Sequence, residues 1–245
     1  MSARASGATA RRVLAQLRRD PRTILLILGV PCVLEALLKE IMSGRPAIFE
    51  HVGAPLLGLF PFVSMFVVSS VTMLRERTSG TLERLMTMPL AKLDLLAGYG
   101  AAFALVALVQ AAVVCSLAFG ALGLEVAGPR PAVAALAVGN ATLGMALGLL
   151  LSAFATTEFQ AVQFMPAVVF PQLLLCGLFV ARSAMAHWLG LVSDVLPLTY
   201  AYDALARVAS GGPYGGRFAA DVGVTLGSVL VCLGLGAATL RRRTA

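Results

Sequence analysis

Few residues in this sequence have the types and spacing that catalysis requires. The only histidines, His51 and His187, lie far apart, and no HExxH zinc pair, G-x-S-x-G nucleophile elbow or G-x-x-x-x-G-K-S/T phosphate loop occurs. Glu35 is the only clear acid inside a long apolar run. The cysteines are dispersed over four such runs, at Cys32, Cys115, Cys176 and Cys232. We therefore expect no catalytic residue, no metal site and no cofactor bound by this chain itself.

The charged residues are instead concentrated in one stretch, RERTSGTLERLMTMPL at residues 75–90. Long uncharged runs flank this stretch, reaching back to His51 and, beyond Leu95, forward to Glu125. A charged island between two apolar runs is typical of a polar loop that joins two membrane spans.

This loop has the pattern of a short amphipathic helix over residues 80–88. Gly80 suits the N-cap position, Glu83 complements the helix dipole in the first turn, and Pro89 ends the helix. The apolar residues of the helix share one face: Leu82, Leu85 and Met86. The spacing allows two interpretations, a solvated loop whose positive charge sets the topology or a docking element for a soluble partner.

The composition predicts an all-α, polytopic membrane protein. Of the 245 residues, 59% are hydrophobic and 13% are charged, whereas soluble domains carry about 25% charged residues. The apolar residues form uncharged runs of about 20 residues or more, which is the length that crosses a bilayer. The net charge of +7 comes from arginines that cluster at the ends of these runs, so it indicates span orientation and not binding to nucleic acid.

Six transmembrane helices are predicted within a single domain of residues 1–245. They cover about 23–42, 53–74, 95–122, 132–154, 159–181 and 222–240. Residues 1–22 are predicted to form a cytoplasmic tail with an amphipathic, interfacial helix from residue 8. Residues 75–94 form the charged loop, and residues 182–220 are predicted to be extracellular, re-entrant short helices that do not cross the membrane.

The basic residues predict the orientation of these spans. Residues 1–22, the charged loop and the tail after the sixth span hold six, four and three of the 19 arginines and lysines. Because basic residues concentrate in cytoplasmic segments, these three regions are predicted to face the cytoplasm of a bacterial cell membrane. An even number of spans puts both termini on that side.

Several residues within the spans have expected structural roles. Glu35 and Lys39 are one helical turn apart, and we expect a structural ion pair there rather than a substrate contact. Gly144 and Gly148 provide a small face for close helix packing in the fourth span. Two prolines are expected to kink the fifth span: Pro166 and Pro171.

The charged loop resembles the first cytoplasmic loop of type-2 ATP-binding-cassette export permeases. In that family the loop carries a coupling helix that sits in a groove on the ATPase subunit. A second resemblance lies at residues 163–211, where Gly177-Leu178-Phe179 and Leu196-Pro197-Leu198-Thr199-Tyr200 match recurring pieces of the family. The resemblance covers almost the whole chain and is clearest at residues 75–90, followed by residues 163–210.

The resemblance implies a permease subunit that works with two separate ATPase subunits, which bind ATP and Mg. A second permease subunit would complete the transporter, as a homodimer or as a heterodimer with a paralogue, among membrane lipids. The residues implied at the ATPase interface are Arg75, Glu76, Arg77, Gly80, Thr81, Leu82, Glu83, Arg84 and Leu85. Leu82 and Leu85 would fill the groove on the ATPase.

The substrate is predicted to be hydrophobic because the spans hold few polar residues. Candidate pathway contacts are Asn140, Phe170 and Gln172. Within the family, the sequence looks most similar to daunorubicin-resistance-type exporters of drugs or lipids. The alternative is an ATP-independent secondary carrier or a membrane scaffold. A carrier usually shows internal repeats and buried charges, and neither is evident in this sequence.

Overall fold

A computed structural model describes residues 3–86 and 92–239. These residues form helices and connecting turns and include no strand. The α-helices are α1 Ala3–Arg18, α2 Pro21–Ile41, α3 Pro46–Thr78, α4 Thr81–Met86, α5 Lys92–Ser116, α6 Arg130–Leu151, α7 Glu158–Phe164, α8 Phe170–Leu175, α9 His187–Val195, α10 Pro197–Ala209 and α11 Gly216–Ala238. π-Helical turns follow α5 at Leu117–Ala121 and α7 at Met165–Val169, and a 3₁₀ turn spans Arg182–Ala184.

Four helices in the described part of the chain are long and apolar enough to cross a membrane. They are Pro46–Thr78, Asp94–Ala121, Arg130–Leu151 and Gly216–Ala238, with mean hydropathies between 1.8 and 2.4. They correspond to the predicted second, third, fourth and sixth spans, so the prediction of a polytopic helical membrane protein is confirmed for these elements. α2 coincides with the predicted first span and has 21 residues.

The predicted fifth span is divided into three helical pieces. α7 ends at Phe164, the π-helical turn contains Pro166, and α8 begins one residue before Pro171. Proline cannot donate a backbone hydrogen bond, so each proline interrupts the regular ladder where a kink was expected. The prediction of a helix to residue 181 is wrong at its outer end, because α8 ends at Leu175 and Gly177 then turns the chain with a φ of +108°.

The centre of the bundle is the contact between α3 and α6. A Cβ atom added to Gly144 would lie 2.1 Å from the carbonyl oxygen of Phe62, and one added to Gly148 would lie 2.3 Å from that of Phe66. The two backbones therefore approach as closely as glycine allows, and the predicted small-residue packing face is confirmed. Phe62 and Phe66 themselves are fully buried beside this contact.

The N-terminal segment forms α1, which packs on α5. A Cβ atom added to Gly98 of α5 would lie 2.5 Å from Cβ of Thr9 and 2.7 Å from the carbonyl oxygen of Ser6. Val13 of α1 is buried in the same cluster as Tyr99. Asp20 then caps α2 by accepting a hydrogen bond from the amide of Thr23. The N-terminal segment is thus part of the folded bundle.

The predicted ion pair between Glu35 and Lys39 is not formed. The Lys39 ammonium instead lies over the ring of Phe49, 4.8 Å from its centroid. Glu35 is fully buried, and its two carboxylate oxygens have no hydrogen-bond partner among the described residues. One helical turn puts the two residues on the same side of α2, but the ammonium contacts Phe49 of α3 instead of the buried carboxylate.

Candidate functional site

The charged stretch of the sequence lies at one end of the bundle, which we call the α4 end. It holds α1, the last turn of α3, α4, the start of α7 and the last turn of α11. Gly80 reverses the chain after α3 with a φ of +71°, and its carbonyl accepts a hydrogen bond from the amide of Arg84 at 3.1 Å. Glycine adopts this backbone conformation without a Cβ clash. A short helix, α4, follows Gly80, and the predicted stop at Pro89 lies outside the described residues.

The apolar face of α4 packs into the subunit. Leu82 is only 4% exposed, and Leu85 packs against the same cluster, which contains Val13, Leu95 and Tyr99. Arg84 is exposed on the other side of the helix. Leu82 therefore anchors α4 to its own subunit, and Arg84 lies on the exposed side of the helix. The side chains of Glu83 and Met86 lie outside the described part of the structure.

A buried ion pair joins α1 to the end of α3. Nη1 of Arg12 lies 3.1 Å and 3.3 Å from the two carboxylate oxygens of Glu76, and Nη2 of Arg12 donates a hydrogen bond to the Tyr99 hydroxyl. The Glu76 side chain is 8% exposed and that of Arg12 is 28% exposed. Since both charges have partners, the contact fixes α1 against α3 and α5. Glu76 is thus turned into its own subunit.

A second ion pair joins the end of α3 to the start of α7. Nε and Nη2 of Arg75 donate to the two carboxylate oxygens of Glu158 at 2.7 Å and 2.9 Å. The hydrogen bonds from Arg75 lower the pKa of Glu158, so the pair stays charged well below neutral pH. Both side chains are more than half exposed. This bidentate pair connects residues that are 83 positions apart in the chain.

Arg77 links α3 to the C-cap residue of α11. Its Nη2 atom donates a hydrogen bond to the Thr239 hydroxyl at 3.4 Å. The buried Nε atom has no hydrogen-bond partner among residues 3–86 and 92–239. Three successive residues of α3, Arg75, Glu76 and Arg77, therefore contact three different elements, α7, α1 and α11. The sequence of these three residues predicts a polar loop, but only the tertiary structure shows which helices they contact.

A polar cleft opens between α1, α2, α3 and α4. It has a volume of about 270 Å³, and its polar lining residues are Gln16, Asp20, Thr23, Thr72, Arg75, Glu76, Ser79 and Thr81. The hydroxyl and amide of Thr23 lower the pKa of Asp20, which keeps that carboxylate charged. Thr81 at the start of α4 lines the cleft, so recessed hydrogen-bonding groups lie beside this helix.

The three predicted pathway residues do not form one site. Asn140 is buried and faces the carbonyl of Ala201 at 3.5 Å. The amide of Gln172 is also buried and donates to the carbonyl of Val168 at 3.2 Å, whereas Phe170 is 46% exposed on the outside of α8. Asn140 thus makes a contact between α6 and α10.

Sequence reasoning missed an apolar groove between α2, α3 and the divided span. The groove has a volume of about 480 Å³, and its lining includes Leu26, Val30, Phe60, Val63, Leu173 and Phe179. Ser64 also lines it, but its hydroxyl donates to the carbonyl of Phe60 and lies 3.0 Å from the Gln110 amide nitrogen. Because the residues come from three separate elements, no local pattern could have revealed the groove.

Comparison with known protein families matches residues 5–208 to the ABC-2 type transporter description. The match begins in α1, includes α4 and ends in α10. The chain belongs to the ABC-2 type transporter family. It is therefore a membrane-spanning permease component of a transporter, and the resemblance seen in its charged loop is confirmed.

One curated relative of this ABC-2 type permease is ABC transporter G family member 20 of Dictyostelium discoideum. The two sequences are 27% identical over 150 residues, which are 61% of this chain and 20% of the relative. The chain thus spans about a fifth of the length of the curated relative that it matches.

Proposed function

We propose that this chain is the membrane subunit of an ATP-driven exporter and that a separate ATPase subunit docks on the α4 end. The observation that carries the proposal is the construction of α4. Leu82 anchors this six-residue helix in the core, while Arg84 and the polar cleft remain at the surface beside it. A short helix held rigidly on one face can transmit motion from a partner that contacts the other face.

The complete permease crosses the membrane six times in this proposal. α2 and the divided helix α7–α8 supply the two crossings beyond the four long apolar helices. The α4 end then faces the cytoplasm, in agreement with the six arginines among residues 1–22. A second permease subunit, as a copy or a paralogue, completes the transporter. Two ATPase subunits bind ATP and Mg on the cytoplasmic side.

The mechanism requires the ATPase to bind two states of the permease with different affinity. A ligand shifts a conformational equilibrium only through such a difference. In the proposal, ATP-dependent closure of the ATPase subunits moves α4, and α3 carries this motion into the membrane. Arg84 and Glu83 are the proposed docking contacts, whereas Leu82 and Glu76 hold the docking element in place.

The proposed substrate is a hydrophobic drug or a lipid. The groove between α2, α3 and α8 is lined almost entirely by apolar side chains in the described part of the structure, which suits an apolar ligand and not a sugar chain. Phe179 and Leu26 at its edge are largely exposed, so a molecule dissolved in the bilayer could enter from the side.

The test is affinity purification in mild detergent after expression together with the neighbouring genes. We expect an ATPase subunit to co-purify in roughly equal amount with the wild type. Glu83→Arg should remain in the membrane but lose permease-stimulated ATP hydrolysis, while Arg11→Glu, an exposed change on α1, serves as the charge control. Recovery of this chain without an ATPase would instead favour an ATP-independent carrier or a membrane scaffold.

A further inference from the structure

We infer that Arg75 and Glu158 form a positioning pair that carries movement of the docking element into the divided helix α7–α8, and that Arg75 does not act as a direct ATPase contact. This inference rests on the proposed function and assigns a different role to one residue of the charged loop. The following geometry supports it.

The pair lies where two membrane elements meet. Arg75 belongs to the last turn of α3, five residues before the glycine that leads into α4, and Glu158 is the first residue of α7. Both guanidinium-to-carboxylate hydrogen bonds are short, at 2.7 Å and 2.9 Å. A bidentate contact fixes orientation as well as distance, which a single hydrogen bond does not.

A small apolar cluster lies beside the ion pair and joins the same two elements, α3 and α7. Leu74, Ala155 and Ala161 are buried together, and Val71 and Phe164 pack against them. Leu74 precedes Arg75 directly, so the ion pair and the apolar contact act on the same turn of α3. This turn of α3 and the start of α7 are therefore expected to move as one body.

The π-helical turn and α8, which follow α7, have the features of a flexible joint. α7 has seven residues, the π-helical turn after it contains Pro166, and α8 has six residues with Pro171 at its start. Prolines and π-helical turns lack the regular hydrogen bonds that keep a helix stiff. Movement of α7 can thus be absorbed at the π-helical turn, next to Met165 and Leu173 of the apolar groove.

Charge reversal separates a positioning pair from a docking contact. We would purify the complex with its ATPase subunit for four variants: Arg75→Glu, Glu158→Arg, the double variant with both changes, and Arg75→Lys. We expect each single reversal to retain the ATPase subunit but to lower kcat of ATP hydrolysis at least about fivefold, the lower end of typical coupling between sites. KM for ATP should stay unchanged, because the nucleotide site is untouched.

The double variant should restore kcat to within about twofold of the wild type, and Arg75→Lys should give an intermediate kcat, since lysine cannot make the bidentate contact. Gln160→Ala is the matched control. It removes the bonds that Gln160 accepts from Thr156 in the same turn but leaves the ion pair intact, so kcat should remain near the wild-type value.

Three results would overturn the inference. Loss of the ATPase subunit from Arg75→Glu, without rescue by the second reversal, would make Arg75 a docking contact. A normal kcat in Glu158→Arg would remove the pair from the mechanism. An equal loss in Gln160→Ala would assign the effect to the turn as a whole. If the wild type recovers no ATPase subunit at all, the proposed function fails before this inference is reached.

Discussion

Ion pairs organise both ends of this permease, but they connect different kinds of elements. At the α4 end, Arg12–Glu76 and Arg75–Glu158 join residues 64 and 83 positions apart. At the opposite end, which we call the α10 end, Arg182 bonds to Asp194 and Asp203, only 12 and 21 positions away. The first set ties separate helices together, whereas the second folds a local segment onto itself.

This difference indicates different roles for the two ends. The α10 end is held by further local contacts, since the Ser193 hydroxyl donates to the carbonyl of Leu175 and Thr199 donates to the carbonyl of Ser193. Both ends carry an open cleft, of about 270 Å³ at the α4 end and of about 590 Å³ beside Asp203 and Arg207 at the α10 end. The two ends therefore differ in the reach of their contacts along the chain. Long-range pairs suit a region that receives and passes on movement, and short-range pairs suit a segment that keeps its shape.

The largest effect is expected at the contact between α3 and α6, which supports both ends of the bundle. Gly144→Ala places a methyl group against the backbone of Phe62, where a Cβ atom would lie 2.1 Å from the carbonyl oxygen. We expect the free energy of unfolding to fall by about 3 kcal/mol, the upper part of the overpacking range. The measurement is Tm of the purified protein in detergent. Gly139→Ala, whose added Cβ has nothing within 4 Å, should stay within about 1 kcal/mol of the wild type.

The buried pair at the α4 end should give the next largest effect. Glu76→Ala leaves the Arg12 charge without its carboxylate, and we expect a loss of about 2 kcal/mol, less than the roughly 3–5 kcal/mol of a fully buried pair. The reason for the smaller loss is that the Arg12 side chain remains 28% exposed. Hydrogen exchange should then increase throughout α1. An unchanged exchange rate in α1 would show that the pair does not hold that helix.

Loss of Arg182 should act locally at the α10 end. Arg182→Ala removes the cation shared by Asp194 and Asp203, and we expect a cost of about 1 kcal/mol because the first of these acids is more than half exposed. Hydrogen exchange should rise between the 3₁₀ turn and α10 while α1 and α7 stay protected. Increased exchange at the α4 end would contradict the local role of these contacts.

The smallest expected effect is the pH dependence of the exposed pair at the α4 end. Arg75 lowers the pKa of Glu158 in the folded state, so the pair contributes its full stability above the ordinary Glu pKa of 4.5. That contribution is lost as the pH falls through the lower, folded-state pKa. Glu158→Gln should therefore flatten the acid side of the Tm profile relative to the wild type. Parallel profiles would mean that the pair adds no measurable stability.

The sequence predicts the parts of the fold that depend on composition and local pattern. The long apolar runs, the helix after Gly80, the proline interruptions in the fifth span and the contact through Gly144 all follow from residue types along one element. The family resemblance likewise rests on two contiguous stretches of residues, 75–90 and 163–211.

The remaining features depend on contacts between elements that are distant in the chain. One helical turn of spacing suggested that Glu35 would pair with Lys39, but Phe49 on α3 takes the ammonium. The amphipathic pattern of α4 does not say which face meets the subunit, and the structure buries Leu82. No local pattern in the sequence marks Glu158, because its partner Arg75 is 83 positions away in the chain.

Site-specific photo-crosslinking tests the central claim most directly. A photoreactive amino acid would replace Arg84 at the α4 end in one variant and Trp188, which is exposed on α9, in the other. After irradiation of native membranes from cells that express the neighbouring genes, we expect the residue at position 84 to capture an ABC ATPase subunit and the residue at position 188 to capture none. Capture of no ATPase subunit from position 84, or equal capture from both positions, would contradict docking at the α4 end.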